Sequence, residues 1–178
     1  MKSIDELTKE HDAVRIMLDI MNGMALQLER DNTIEQKHIF GAVEFAQVFV
    51  DSCHHSKEED FLFPVLQQAG KKVSLMQELL GEHEQGRRLI KDLKEKAADI
   101  PANSKKIQSV ISEYTALIDR HIEKENNDLF AEAEECLSDI RDAELYEAFE
   151  RIEQEEVGEG RHEEFHALLK ELSEIYRV

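Results

Sequence analysis

At 178 residues with a formal net charge of −18, the chain is the size of one ordinary domain. It is also too acidic for nucleic acid or an anionic membrane surface, both of which would repel it. A domain of this size buries about 70% of the surface its unfolded form exposes, so a sizeable core is available. No apolar run approaches the ~20 residues that span a bilayer, and no basic-then-apolar leader opens the chain, so the expected location is cytoplasmic. Cys53 and Cys136 stand far apart and in no metal-like spacing, and they are expected to be free, buried thiols.

Glycine and proline are scarce, and apolar residues recur at intervals of three and four, which predicts helices throughout. "SIDE" at Ser3 has the form of a capping box, opening a helix that carries Ile4, Leu7, Val14 and Leu18 on one face and runs to about Arg30. A second helix is expected from Thr33 to near Gly70, with Pro64 bending it or closing its last turns. A third opens at Ser74 and stops before "DIPANS"; a fourth starts near Ser104 and reaches about Cys136. Beyond it the chain is more acidic, with a break at Gly158–Gly160 before a last helix to Tyr176. The predicted fold is all-α. Residues 1–137 form an antiparallel up-down four-helix bundle, and residues 138–178 form a C-terminal helical extension packed on it.

Two motifs recur. "EHDAVR" from Glu10 is matched by "EHEQGR" from Glu82, and "HHSKEEDFLF" from His54 is matched without a gap by "HIEKENNDLF" from His121. At about 100° per residue, His54 shares a direction with Val43, Val50, Phe61 and Val65, and His121 with Ile107, Val110, Tyr114 and Leu117. His11 lies with Ile4, Leu7 and Leu18, and His83 with Met76, Leu79 and Ile90. Each long helix thus aims one histidine at the core. Glu58 and Glu125, four residues beyond a histidine, fall on the same faces, where an unpartnered carboxylate is costly. A pair of divalent cations satisfies all six groups. Each ion would take about two imidazole nitrogens and share the two carboxylates, with open positions left for water, an oxo bridge or dioxygen.

In that order, His11, His54-x-x-x-Glu58, His83 and His121-x-x-x-Glu125, with "LFP" after the second-helix motif, the chain resembles the hemerythrin family, the HHE cation-binding domains. The resemblance covers about residues 3–135. It implies a non-haem di-iron centre, two iron ions bridged by oxo or hydroxo and carboxylate groups, with dioxygen or another small oxidant as the partner. His11, His54, His83 and His121 are then terminal ligands, and Glu58 and Glu125 the bridges. Oxygen-carrying members have a further histidine one turn from the third-helix ligand. Here Leu79 and Arg87 occupy the positions four away from His83, and the candidates to complete the set are His162, His166 and Tyr114.

Other residues receive quieter readings. His55, about 100° off the apolar direction, and Glu59 are expected to support the ligands or to be exposed, and His38 to lie on the surface. Glu10 and Glu82 either pair with Arg15 and Arg87, accept a hydrogen bond from a ligand histidine, or face solvent. The acidic runs "AEAEE" and "ERIEQEE" are expected to be plain helix surface. Two classes of function remain: a module that binds or senses an oxidant, and an oxidoreductase consuming peroxide, dioxygen or nitric oxide. The lack of a thiol pair, flavin motif or electron-donor domain favours binding. A structural zinc site is a third reading, weakened because such sites favour thiolates.

Overall fold

The computed structural model of the protein describes residues 1–158 and 160–176, and it contains helices and no strand among them. Helix α1 is Lys2–Asp31. Helix α2 runs over 36–68, beginning as Gln36–Glu44, passing through wider π-helical turns at Phe45–His55 and Glu58–Leu62, and finishing as Phe63–Gln68. Helix α3 is Val73–Lys96. Helix α4 runs over 100–136, as Ile100–Lys124, a π-helical turn Glu125–Leu129, and Phe130–Cys136. Helices α5, Asp139–Ile152, and α6, Arg161–Tyr176, follow. Helices α1 to α4 form the expected up-down bundle, with α1 against α4, α4 against α3, and α3 against α2. Both α5 and α6 lie against α1.

Several boundaries differ from the sequence reading for local reasons. Ser3 does not cap its own helix. Asp142 of α5 does so instead, accepting the backbone N–H groups of Lys2 and Ser3 at 3.0 Å and the Ser3 hydroxyl at 2.5 Å. A carboxylate there satisfies otherwise orphaned donors and complements the helix dipole. Helix α4 starts at Ile100 rather than near Ser104, because Asp99 caps it through the Ala102 N–H and Pro101 occupies the first turn, where its missing donor is no loss. Pro64 sits in the first turn of the α-helical segment that follows a π-helical turn in α2, and the helix ends four residues later, with Gly70 at φ +69° making the turn. Gly158 and Gly160 both adopt φ +85° at the predicted break, whose middle residue, 159, lies outside the described residues.

Helix α6 fits closely over α1 and α2 because two glycines let it approach. A Cβ at Gly23 would come within 2.9 Å of the Tyr176 Cβ, and one at Gly41 within 3.2 Å of a Leu168 methyl. Phe165 adds edge-on contacts with Phe45 and Phe49. His38, expected on the surface, is buried under this helix, its Nδ1 2.8 Å from the Tyr176 hydroxyl.

The core is divided. One apolar cluster holds Met17, Met21, Phe45, Phe49, Ile111 and Leu172 among others; the second holds Ile4, Leu7, Leu62, Leu66, Leu79, Leu129 and Phe149. Along every bundle helix the switch between clusters falls at the histidines, so a layer of buried polar side chains crosses the molecule at one level. That layer is framed from both ends by dry packing.

Replacing Asp142 with Ala should destabilise the protein by about 1 kcal/mol, the usual worth of an N-terminal cap. The Lys2 and Ser3 amides should also exchange faster; unchanged unfolding and exchange would show that α5 does not anchor α1.

Candidate metal centre

All six residues expected to converge do so. His11, His54, Glu58, His83, His121 and Glu125 are at most 2% exposed, and both glutamates are fully buried. One ligand atom from each of His11, His54, Glu58 and Glu125 lies within 4.8 Å of the others, and the same holds for Glu58, His83, His121 and Glu125. The two groups share both carboxylates.

Local helix geometry prepares this convergence. Glu58 and Glu125 each open a π-helical turn, closed by Phe63 N–H donating to the Glu58 carbonyl and Phe130 N–H donating to the Glu125 carbonyl. Such turns widen a helix by one residue and recur at functional positions. The two copies of the histidine-glutamate motif therefore share a backbone device as well as a sequence.

Outer partners fix the direction of each ring. The Nδ1 atoms of His54, His83 and His121 stand 2.8, 2.6 and 2.9 Å from carboxylate oxygens of Glu10, Glu59 and Glu82, and that of His11 is 2.9 Å from Asn126 Oδ1. A carboxylate oxygen only accepts, so these rings hold a proton on Nδ1 and turn Nε2, the atom a cation would take, inward. The inward atoms then meet in pairs. His11 Nε2 and His54 Nε2 are 3.0 Å apart, as are His83 Nε2 and His121 Nε2. Around them, no oxygen of Glu58 or Glu125 has a hydrogen-bond partner among the described residues, although imidazole nitrogens lie as close as 3.0 Å.

With protein groups alone such a cluster holds together only by taking up protons. Burial and the charge of Glu125 push the Glu58 carboxyl well above the usual range. Burial opposes ionisation of Glu125 too, but His121 and His11 outweigh it and hold this carboxyl well below its ordinary value. Burial likewise works against His121, yet Glu125 and Glu82 raise it to about 9. Burial lowers His54 and His83. A cation placed between lone pairs and carboxylate oxygens removes all of these conflicts at once, and the donor set of neutral imidazole and carboxylate suits one.

The acceptors are themselves held. Lys57, fully buried, donates to Glu10 at 2.6 Å, and Lys124 donates to Glu82 at 2.5 Å. These are the paired lysines of the two motif copies. Lys57 also donates to Glu153 of the C-terminal extension at 2.5 Å, so the run "ERIEQEE" is more than surface. Arg87 binds Asp51 and Glu59, not Glu82, and Arg15 pairs with Asp119.

Three residues considered for the vacant ligand position do not join the cluster. His162 meets Phe49 edge-on and lies 3.9 Å from Glu153, while His166 is exposed, because α6 packs beside the level of the phenylalanines rather than that of the ligands. Tyr114 is buried and lines a cavity of about 70 Å³ together with His55, Gly86 and Arg87. His55 was the residue the sequence reading undervalued. It is 4% exposed and stacks on the His83 ring, with centroids 3.7 Å apart. Its neighbour Glu59 is the His83 acceptor. The adjacent "HH" was the available signal, and the assumption of ideal helix rotation hid it, because α2 is π-helical there. Cys53 is buried, and burial and the nearby Glu10 push its thiol up to about 12; Cys136 is half-buried. Neither is an activated thiol.

Comparison with known proteins agrees with this geometry. An uncharacterized protein of Mycobacterium bovis and two from strains of Mycobacterium tuberculosis are each 25% identical to the chain over 161 residues. The match takes in 88% of this chain and 63% of theirs, so the chain spans under two thirds of the length of these relatives. No solved structure matches significantly. The family model of the hemerythrin HHE cation-binding domain matches residues 2–133, from the start of α1 to the last turn of α4. With all four bundle helices and the buried histidine-glutamate cluster inside that match, the chain belongs to the hemerythrin HHE cation-binding family.

Proposed function

We propose that the protein holds two iron ions in this cluster and uses them to bind or sense dioxygen or a related small oxidant. The supporting observation is the facing of Nε2 atoms in two pairs at 3.0 Å, beside four carboxylate oxygens without hydrogen-bond partners among the described residues. In this reading His11 and His54 would hold one ion, His83 and His121 the other, with Glu58 and Glu125 available to both. An iron pair bound there supplies one-electron redox chemistry and affinity for small oxidants.

The protein's own contribution is to orient and to exclude. Glu10, Glu59, Glu82 and Asn126 keep each ring in one tautomer and rotation, which raises its basicity toward a cation. Leu62, Leu129 and Ile118, all at most 2% exposed, keep bulk water from the layer. Two carboxylates and an acceptor set rich in anions balance much of the charge of two divalent ions. Turnover of peroxide, dioxygen or nitric oxide is the second reading. It requires a route for electrons from outside, and no low-pKa thiol or second redox group accompanies the cluster among the described residues.

Purified protein reconstituted with ferrous iron without air should take up about two ions per chain and, on oxidation, show visible charge-transfer bands of a bridged iron pair. One zinc with no visible absorption would remove the proposal. Mixing the reduced protein with oxygen and then with peroxide separates reversible binding from consumption.

Exchanging Glu58 for Leu should abolish loading of the pair while leaving the apoprotein equally stable or up to about 4 kcal/mol more stable, because a buried carboxylate without a partner is removed. Loss of apoprotein stability with full iron content would mean that Glu58 serves the fold instead. Removing the acceptor with Glu82→Ala should weaken iron binding by roughly 10–100-fold with the helix content kept. Because bound ions displace protons from Glu58 and His121, uptake should release protons, and affinity should fall as the pH drops below the raised His121 value.

A further inference from the structure

We propose that Cys53, Glu153 and His162 form a second cation site, separate from the histidine-glutamate cluster, that takes a single divalent ion of the zinc class. One ligand atom from each, a sulfur, a carboxylate oxygen and an imidazole nitrogen, lies within 4.8 Å of the others. None of the three belongs to the six residues of the buried centre, so the site stands or falls independently of the iron-pair reading.

Three segments distant in sequence meet there. Cys53 is fully buried on α2, Glu153 directly follows α5, and His162 lies in the first turn of α6. Backbone geometry singles out Glu153 in the same way as the carboxylates of the centre. The π-helical turns Glu58–Leu62, Glu125–Leu129 and Glu153–Val157 each open on a glutamate, and the Gly158 N–H closes the third by donating to the Glu153 carbonyl at 3.0 Å. Turns of this kind recur at functional positions. Gly158 and Gly160, both at φ +85°, then redirect the chain so that His162 returns beside Glu153.

The donors are turned as a cation requires. Glu153 divides its oxygens: Oε1 accepts from Lys57 at 2.5 Å, and Oε2 faces His162 Nε2 at 3.9 Å. That nitrogen is buried and has no hydrogen-bond partner among the described residues. At 3.9 Å the two atoms are too far apart for a hydrogen bond, yet close enough to share one ion at bond lengths of about 2 Å. Cys53 Sγ lies 4.0 Å from Glu10 Oε1, and Lys57 donates to that same oxygen at 2.6 Å. The thiol proton leaves when a cation takes the sulfur. The thiolate, Glu10 and Glu153 then outweigh the single ammonium of Lys57 by the charge that a divalent ion carries. Sulfur and imidazole donors select zinc over magnesium or calcium. Three protein donors leave a fourth position, and a cavity of about 530 Å³ lined by Glu153, Gly158 and His162, among others, gives water access to it. An ion held here ties the C-terminal extension to the bundle one residue before His54.

The test is anaerobic titration of the chelator-treated apoprotein with cobalt(II), read by the near-ultraviolet charge-transfer band of a cobalt–thiolate bond. The histidine-glutamate cluster has no thiolate and adds nothing to that band. The expected result is a band that zinc bleaches, absent in Cys53→Ser and kept in Cys136→Ser. His162→Ala should need at least ~10-fold more cobalt for half-saturation, since losing even an outer partner of a ligand costs that much. Glu58→Leu should keep the band whatever happens to its iron loading. Should Cys53→Ser fail to fold, His162→Ala, at a partly exposed position, decides alone. No band in the wild type, a band lost in Cys136→Ser or surviving in Cys53→Ser, or unchanged half-saturation in His162→Ala would overturn the site.

Discussion

The structure depends on a conflict between lone pairs. Four imidazoles turn their Nε2 atoms toward one another in the middle of a helical bundle, and two fully buried carboxylates stand among them, so that without a cation the cluster must take up protons. In a low-dielectric interior this arrangement is repulsive, and each unsatisfied polar atom costs on the order of 1–3 kcal/mol. Nothing about folding a four-helix bundle requires it. A polar layer that splits an otherwise continuous apolar core is a debt against stability, and it is settled by whatever binds there.

The cost explains why the surroundings are so heavily braced. Each Glu-His pair supplies an inward ligand and, from the preceding residue, the outer acceptor for a ligand on a neighbouring helix: Glu10 serves His54, and Glu82 serves His121. The lysine three residues past each of those histidines returns to the same glutamate. The two halves of the bundle thus repeat one circuit of histidine, glutamate and lysine. They differ in burial. Lys124 is partly exposed and finds a second carboxylate in Glu78, whereas Lys57 is fully buried and needs Glu153 from beyond the bundle. A buried ammonium with one partner would be poorly compensated, so the extension completes one of the two circuits.

Much of this was legible in the residues themselves. Periodicity of three and four gave the helices, and the gapless match of the two histidine-glutamate motifs selected His54 over His55 as the counterpart of His121, which the shared π-helical turn at Glu58 and Glu125 explains. What was not legible depended on tertiary contacts between distant segments. Ser3 reads as a cap until Asp142 arrives from α5 to perform that task. His38 reads as a surface residue until Tyr176 covers it. Glu153 sits in an acidic run with no local feature to separate it from its neighbours. His55 was misjudged for another reason. An angle of 100° per residue assumes an α-helix, and over Phe45–His55 the backbone is wider, so directions computed from ideal geometry drift.

That drift ties backbone to chemistry. In an unbroken α-helix, two consecutive histidines point about 100° apart and cannot both face one cluster. A π-helical segment ending at His55 and another beginning at Glu58 change the rotation on either side of the motif, and both His54 and His55 are buried at the same level of the bundle. Three polar side chains of this one helix, His54, His55 and Glu58, thus lie buried in the layer, beside the irregular turns. The wider turns fall in α2 and α4, the helices that carry the carboxylates, while α1 and α3, which contribute one histidine each, remain regular.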